Sequence, residues 1–214
     1  MIRAPRWMLA VACTATMLAS GCTAIVDGDA IATPGEEGKR LTNPKCSSVS
    51  VPLLEVPLDN DSEPRVEVPQ PAGWERVKRF ESGVVRVYLS APDLQAKGFV
   101  PNATVAMANL TGKVSTEEAA FAAEQQGLEM FGITDLVEAT GTICGYPSKT
   151  LTYNMGLGKI PVHRVTTTVV AVKNDRKIFT IGVSVQALDD TVGDFDSARE
   201  TILAGLQVSP PATS

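Results

Sequence analysis

The residue with the most definite chemistry is Cys22, which directly follows Leu18-Ala19-Ser20-Gly21. Small residues that can lie extended in a peptidase cleft, followed at once by a cysteine, mark a thiol that receives a diacylglyceryl group. The flanks agree. Arg3 and Arg6 give a positive start, and Trp7 to Leu18 is an apolar run shorter than the roughly 20 residues a membrane helix needs. We therefore expect residues 1–21 to be a secretory signal peptide and Cys22 to carry the lipid anchor on the outer, extracytoplasmic face of the cell membrane. Each buried methylene contributes about 0.8 kcal/mol, so one acyl chain anchors marginally and two or three anchor durably.

Two further cysteines remain once Cys13 leaves with the signal and Cys22 is acylated. In an oxidising compartment an even pair reads as a disulfide, here Cys46 with Cys144. The alternative is a buried free thiol at 144 and an exposed one at 46. A bridge would close a loop of about 100 residues, for which the chain-entropy model gives about 4–5 kcal/mol as an upper value. Two thiols and a single histidine do not fill a tetrahedral metal shell.

Catalytic constellations are sparse. Nucleophilic hydrolysis needs a base beside its nucleophile, and His163 is the one histidine, with no G-x-S-x-G in the chain. Its strand parity with Val165 and Val169 reads as a satisfied strand-end residue. No S-x-x-K is present. Gly158-Lys159 and Gly112-Lys113 lack the rest of a phosphate loop and read as turns. Asp59-Asn60-Asp61-Ser62-Glu63 puts acids at calcium-loop positions, but Pro64 replaces the required glycine and Gln70 stands where a bidentate glutamate belongs. Asp189, Asp190, Asp194 and Asp196 read as charges at a helix N-terminus, and Glu117 and Glu118 as first-turn acids. With 5% aromatic residues there is little for a sugar to stack on. Trp74 and Tyr88 are the candidates to line a ligand groove, against a role in the core or on a sheet face. We expect no catalytic, metal-binding or cofactor-binding residues and no cofactor. An enzyme with an unfamiliar carboxylate or lysine site is the alternative.

The composition limits the partners. Removing residues 1–21 leaves 17 basic residues against 24 acidic ones. That balance argues against nucleic acid and against electrostatic attachment to anionic lipid. Hydrophobic content of 44% suits a globular domain, and the length suffices for one sizeable core. The sequence leaves the oligomeric state open, with a monomer favoured.

The elements that would position these residues follow from local signals. Residues 22–64 are rich in turn pairs such as Asp27-Gly28 and Asn43-Pro44 and read as a tether and domain entry, with Val49 to Leu58 a short strand or a surface run. A single domain is expected over 65–208, with a disordered tail at 209–214. Val66 to Val68 reads as a strand, and Trp74 begins a second extended piece after the turn at Pro69-Gln70-Pro71-Ala72-Gly73. Val85 to Ser90 alternates as a third strand. Ala103 to Leu110 is apolar on both parities, as in a central strand covered on both faces. Ser115 and Glu118 form a capping box that opens a helix to about Met130, burying Ala120, Phe121, Gly127 and Leu128. Strands follow at 134–143 and 146–155, with Gly145-Tyr146-Pro147 between them, then at 162–172 and about 179–186. Phe195, Ala198, Ile202 and Leu206 lie on one stripe of a last helix. Four strands, a helix, four strands and a helix, joined by short turns, predict an α+β fold with one twisted, mostly antiparallel sheet.

Four segments carry a family likeness: Leu18–Cys22, Pro71-Ala72-Gly73-Trp74, Asn109-Leu110-Thr111-Gly112 and Ala187-Leu188-Asp189-Asp190. Together they resemble the LpqN/LpqT-type lipoproteins of mycobacteria and their relatives, over the signal and about residues 65–208. The usual Thr/Pro-rich tether is replaced here by a Gly/Asp/Glu-rich one. The resemblance implies a PsbP-like α/β/α sandwich. It also implies a non-catalytic cell-envelope protein acting as a binding or adaptor module for an envelope protein or glycolipid, with links to lipid export and host-protein contact.

Overall fold

A computed structural model describes residues 45–156, 162–188 and 193–211. The signal peptide, Cys22, most of the tether, Gly158-Lys159 and Asp189-Asp190 lie outside the described residues.

Alternating apolar residues build the centre of the molecule. Seven antiparallel strands form one sheet in the order β3-β4-β5-β9-β8-β7-β6. They are β3 (Glu75–Arg76), β4 (Val85–Ser90), β5 (Asn102–Asn109), β6 (Thr134–Ile143), β7 (Tyr146–Met155), β8 (His163–Asn174) and β9 (Lys177–Ala187). One face carries Leu89, Val105, Val170, Ile181, Val183 and Val185, all within 1% of full burial. Onto it pack helix α2 (Phe195–Ala204) and a second sheet of β1 (Leu53–Glu55), β2 (Arg65–Pro69) and β10 (Gln207–Ser209), in the order β1-β2-β10. Helix α1 (Glu117–Glu129) packs on the other face, with Phe121 against Val169 and Ala171. The result is a three-layer α+β sandwich. Burying each large aliphatic or aromatic side chain contributes about 1.5–3 kcal/mol, which makes this two-sided core the main stabilising term.

Several boundaries differ from the sequence reading. The packed body begins before Arg65: β1 pairs with β2 from Leu53↔Pro69 to Glu55↔Glu67, and Val56 is 1% exposed. At the other end Leu206 is buried but not helical, and α2 stops at Ala204. Gly205 permits the stop, since a Cβ there would lie 2.7 Å from the Thr201 carbonyl and 2.8 Å from the Pro69 ring. The chain then enters β10, which reaches Ser209 and pairs with β2. A three-residue strand paired to a strand 140 positions upstream leaves no periodic trace in sequence. The N-cap of α1 is Thr116, whose hydroxyl accepts from Ala119 N–H at 3.2 Å, so Ser115 lies one residue outside the helix. The stripe on α1 is narrower than expected, with Ala120 and Phe121 buried and Gly127 and Leu128 half-buried. Strand β5 is central, yet Thr104, Ala106 and Ala108 on its α1-side face are only half-buried.

The β6–β7 turn is Cys144-Gly145, with φ of 53° and 82°, and Tyr146 and Pro147 already belong to β7. Two left-handed residues between paired strands make a type I′ hairpin. Pro147 precedes the first β7–β8 pair, Ser148↔Val170, so its missing N–H costs no ladder bond.

Candidate functional site

Two strands with T-x-T spacing, Thr150-Leu151-Thr152 on β7 and Thr166-Thr167-Thr168 on β8, are neighbours in register, Thr150↔Thr168 and Thr152↔Thr166. Alternation sends Thr150, Thr152, Thr166 and Thr168 to the α2 face of the sheet together with Ser148. The Thr150 and Thr168 hydroxyls are 3.0 Å apart. Helix α2 sits on β9 and leaves this face open over Gly141, Ile143, Thr150 and Thr166, with Ser148 and Thr168 buried deeper beside them. The outcome is an open groove of about 490 Å³. Its floor is Ser148, Thr150, Thr166 and Thr168, with Gly141 and Ile143 toward the edge of the sheet. Its wall is α2, through Leu203, Ala204, Arg199 and Glu200.

This groove offers hydroxyl donors and acceptors on a flat floor, an aliphatic wall and one guanidinium at the rim. Arg199 pairs with Asp196 at 2.7 Å and lies 5.8 Å from the Phe195 ring. Hydroxyls spaced by strand geometry suit a ligand rich in hydroxyls, and Leu203 and Ile143 suit an alkyl segment. Among the described residues that line it, the hydroxyl contact between side chains is Thr150 with Thr168, and Arg199 is paired with Asp196.

The other residues singled out by type are placed elsewhere. Trp74 is 3% exposed in the main core, its ring 6.4 Å from that of Phe195. Tyr88 is half-buried on the far side of β4, with its ring 4.8 Å from Phe80, and burial raises its phenol pKa. The two do not line a common groove. His163 opens β8, 3% exposed, with Nε2 2.9 Å from Gln186 Oε1 and its ring 4.9 Å from Phe99. Gln186 in turn donates to Asn102 Oδ1 at 2.6 Å. On the same face Tyr153 meets Thr167 at 3.1 Å, and Thr167 meets Ser184 at 2.8 Å. Desolvation by burial raises the Tyr153 pKa against the opposing pull of its Thr167 hydrogen bond. These are closed polar chains that hold strands in register.

The acidic loop before β2 has a cation of its own. Arg86, 6% exposed, donates from Nη2 to Glu63 Oε1 at 3.2 Å, lies 2.6 Å from Asp59 Oδ2, and reaches the Pro57 carbonyl at 3.3 Å. Glu63, equally buried, also accepts from the Asp59 N–H at 2.8 Å. A guanidinium therefore occupies the place that a calcium reading would give to a metal. Among the described residues no three His, Cys, Asp or Glu side chains converge. The Sγ atoms of Cys46 and Cys144 lie 1.94 Å apart, placed as a disulfide at the tip of the β6–β7 hairpin, and the Val208 N–H points to Cys144 Sγ at 3.2 Å.

What the sequence reading missed is the groove itself. Its signal was present as two T-x-T segments, but only the pairing of β7 with β8 brings them together. Among the described residues no helix is long and apolar enough to cross a membrane.

Comparison with known proteins supplies the family. LpqN of Mycobacterium tuberculosis, a protein involved in cell envelope biogenesis, is similar in structure at a TM-score of 0.57 and 16% identity, over 74% of this chain and 92% of that one. A cyanobacterial PsbP from Synechocystis aligns at a TM-score of 0.45 and 17% identity, over 76% and 96%. The Ran-binding protein Mog1p of Saccharomyces cerevisiae aligns at 0.40 and 16% identity, over 73% and 87%. At these identities the LpqN likeness shows the fold, an α+β sandwich. No curated protein matches the chain in sequence. The family described as probable lipoprotein LpqN matches residues 47–209. The chain belongs to the LpqN lipoprotein family.

Proposed function

We propose that this protein is a non-catalytic binding module of the cell envelope, anchored through lipidated Cys22, and that the groove between α2 and β6–β8 receives an envelope glycolipid. The observation that carries the reading is the groove's composition: a floor of four hydroxyl side chains beside an aliphatic helix wall, in a volume of about 490 Å³. That volume lies within the range of about 300–1,000 Å³ typical of small-ligand sites. Sugar hydroxyls match the threonine floor, and the first methylenes of a lipid tail match Leu203, Ala204 and Ile143. Membership of a lipoprotein family supports the location at the membrane, and the biogenesis role of the mycobacterial LpqN supports an envelope ligand.

The test is native mass spectrometry of the mature lipoprotein taken from its own envelope in mild detergent. The expected result is a reproducible non-covalent mass that fragments as a glycolipid. Ala204→Trp, which fills the groove from an exposed position on α2, should remove it. A clean protein mass, or an adduct indifferent to Ala204→Trp, would refute the groove as a glycolipid site.

A further inference from the structure

Sheet edges expose unpaired N–H and C=O groups, and proteins guard them with short strands, prolines and charges. This molecule has four edges among the described residues, and three are guarded. Strand β3 is two residues long, β1 has three residues between Pro52 and Pro57, and β10 has three before Pro210-Pro211. Strand β6 is ten residues long, almost wholly exposed, and free of proline. Its one charge between Val137 and Ile143 is Glu138, held by Lys149 at 3.0 Å. A bulge near Asp135 distorts only its start, where the register shifts between Thr134 and Val137.

The direction of the open groups follows from the hairpin. In a two-residue type I′ turn the flanking pair, here Ile143↔Tyr146, is hydrogen-bonded, so bonding to β7 alternates from there. Thr142, Thr140 and Glu138 therefore point their N–H and C=O groups away from the sheet. We propose that a second copy of this chain pairs antiparallel along β6, with the dyad at Thr140.

In that register Thr140 faces its own copy, Glu138 faces Thr142, Ala139 faces Gly141 and Val137 faces Ile143. The three outward residues of each strand exchange all their hydrogen bonds, and no like charges stand opposed. Val137, 63% exposed in the single chain, gains an apolar neighbour on the same face. The pairing closes, because only guarded edges remain outside it.

The groove changes character in the dimer. It has a wall on the α2 side and is open beyond β6. Antiparallel pairing keeps both α2 layers on one face, so the two floors join into a single trough walled by α2 from each copy. From β8 of one copy to β8 of the other is five strand spacings, about 24 Å. The trough's use for glycolipid rests on the reading proposed above; the pairing itself does not. One strand pair is small beside the roughly 1,200 Å² of a standard interface, so the dimer belongs to chains concentrated on a membrane.

Oxidative crosslinking of full-length Thr140→Cys in its native membrane tests this. Hydrogen-bonded antiparallel partners have Cα atoms about 5.5 Å apart, within the range that a disulfide spans. A dimer linked 140 to 140, identified by mass spectrometry of the joined peptide, is expected at several-fold higher yield than from Gln95→Cys on an exposed loop. In the Thr140→Cys background, Thr142→Glu sets a carboxylate against the second copy's Glu138 and should cut the yield several-fold. Thr142→Lys should preserve or raise it. Equal yields from the 140 and 95 variants overturn the dimer, and indifference to charge at 142 overturns this register. A crosslinked dimer without a glycolipid adduct would reject the ligand and keep the pairing; an adduct on an uncrosslinkable chain would do the reverse.

Discussion

Replacing Arg86 by methionine isolates the contact that ties the β1–β2 loop to the large sheet. Arg86 sits in the β4 bulge, where the register shifts between Val85 and Val87. Its removal leaves Glu63, 6% exposed, without its guanidinium. Breaking a buried pair from one side costs about 3–5 kcal/mol. Two features lower that figure. Glu63 keeps the Asp59 N–H at 2.8 Å, and the buried Nε of Arg86, which has no hydrogen-bond partner among the described residues, no longer has to be desolvated. Asp59, 61% exposed, adds little. We expect a loss of about 3 kcal/mol, or about 6–12 °C in Tm for a domain of this size. Glu63→Gln alone should cost about 1–2 kcal/mol, and the double variant less than the sum by about 1–2 kcal/mol. Urea unfolding followed by circular dichroism and tryptophan fluorescence measures all three. A loss below about 1 kcal/mol for Arg86→Met, or strict additivity, would refute the clamp. Stabilisation of the wild-type loop by calcium would return it to a metal site.

Three other perturbations read different parts of the fold. Serine at both Cys46 and Cys144 should lower stability by up to about 4.7 kcal/mol, the chain-entropy value for a closed loop near 100 residues, in the same unfolding assay; no change would mean that the bridge does not constrain the unfolded chain. Thr116→Ala should cost about 1 kcal/mol and Ser115→Ala a few tenths, and the reverse order would move the helix start back by one residue. Glu81 accepts two bonds from Arg76, at 2.6 and 2.9 Å, and that hydrogen bonding holds its carboxyl pKa below the ordinary range. A depressed folded pKa gives stability that is present above the unfolded carboxylate pKa and lost as pH falls through the folded value. Glu81→Gln should therefore be less stable than wild type at neutral pH, with the gap closing in acid; a gap independent of pH would refute the assignment.

Local order dictated most of what the sequence alone determined. Period-2 alternation in Phe179, Ile181, Val183 and Val185, the turn residues around Gly145, and the three–four spacing of Phe195, Ala198 and Ile202 each act within a few residues. They specify strands, a hairpin and a helix wherever the chain goes. The apolar stripes these elements present also imply a layered α+β fold, since each stripe needs a facing surface. The lipid anchor proposed at Cys22 likewise rests on adjacent residues. Tertiary structure decided the features that depend on partners far along the chain. Strand β10 exists because β2 offers it an edge, and Leu206 is buried beneath that junction instead of extending α2. Trp74 joined the core because Phe195 lies over it. Asp59 and Glu63 became ligands of Arg86 because the β4 bulge aims a guanidinium at them. The groove needed β7 to lie beside β8 with Thr150 opposite Thr168, and needed α2 to stop short of β6. Sequence encodes which residues are apolar, polar or able to turn, and those preferences act locally. Which surfaces then meet, and which edge stays open, emerges only when the whole chain minimises its exposed apolar area under its backbone hydrogen-bond requirements.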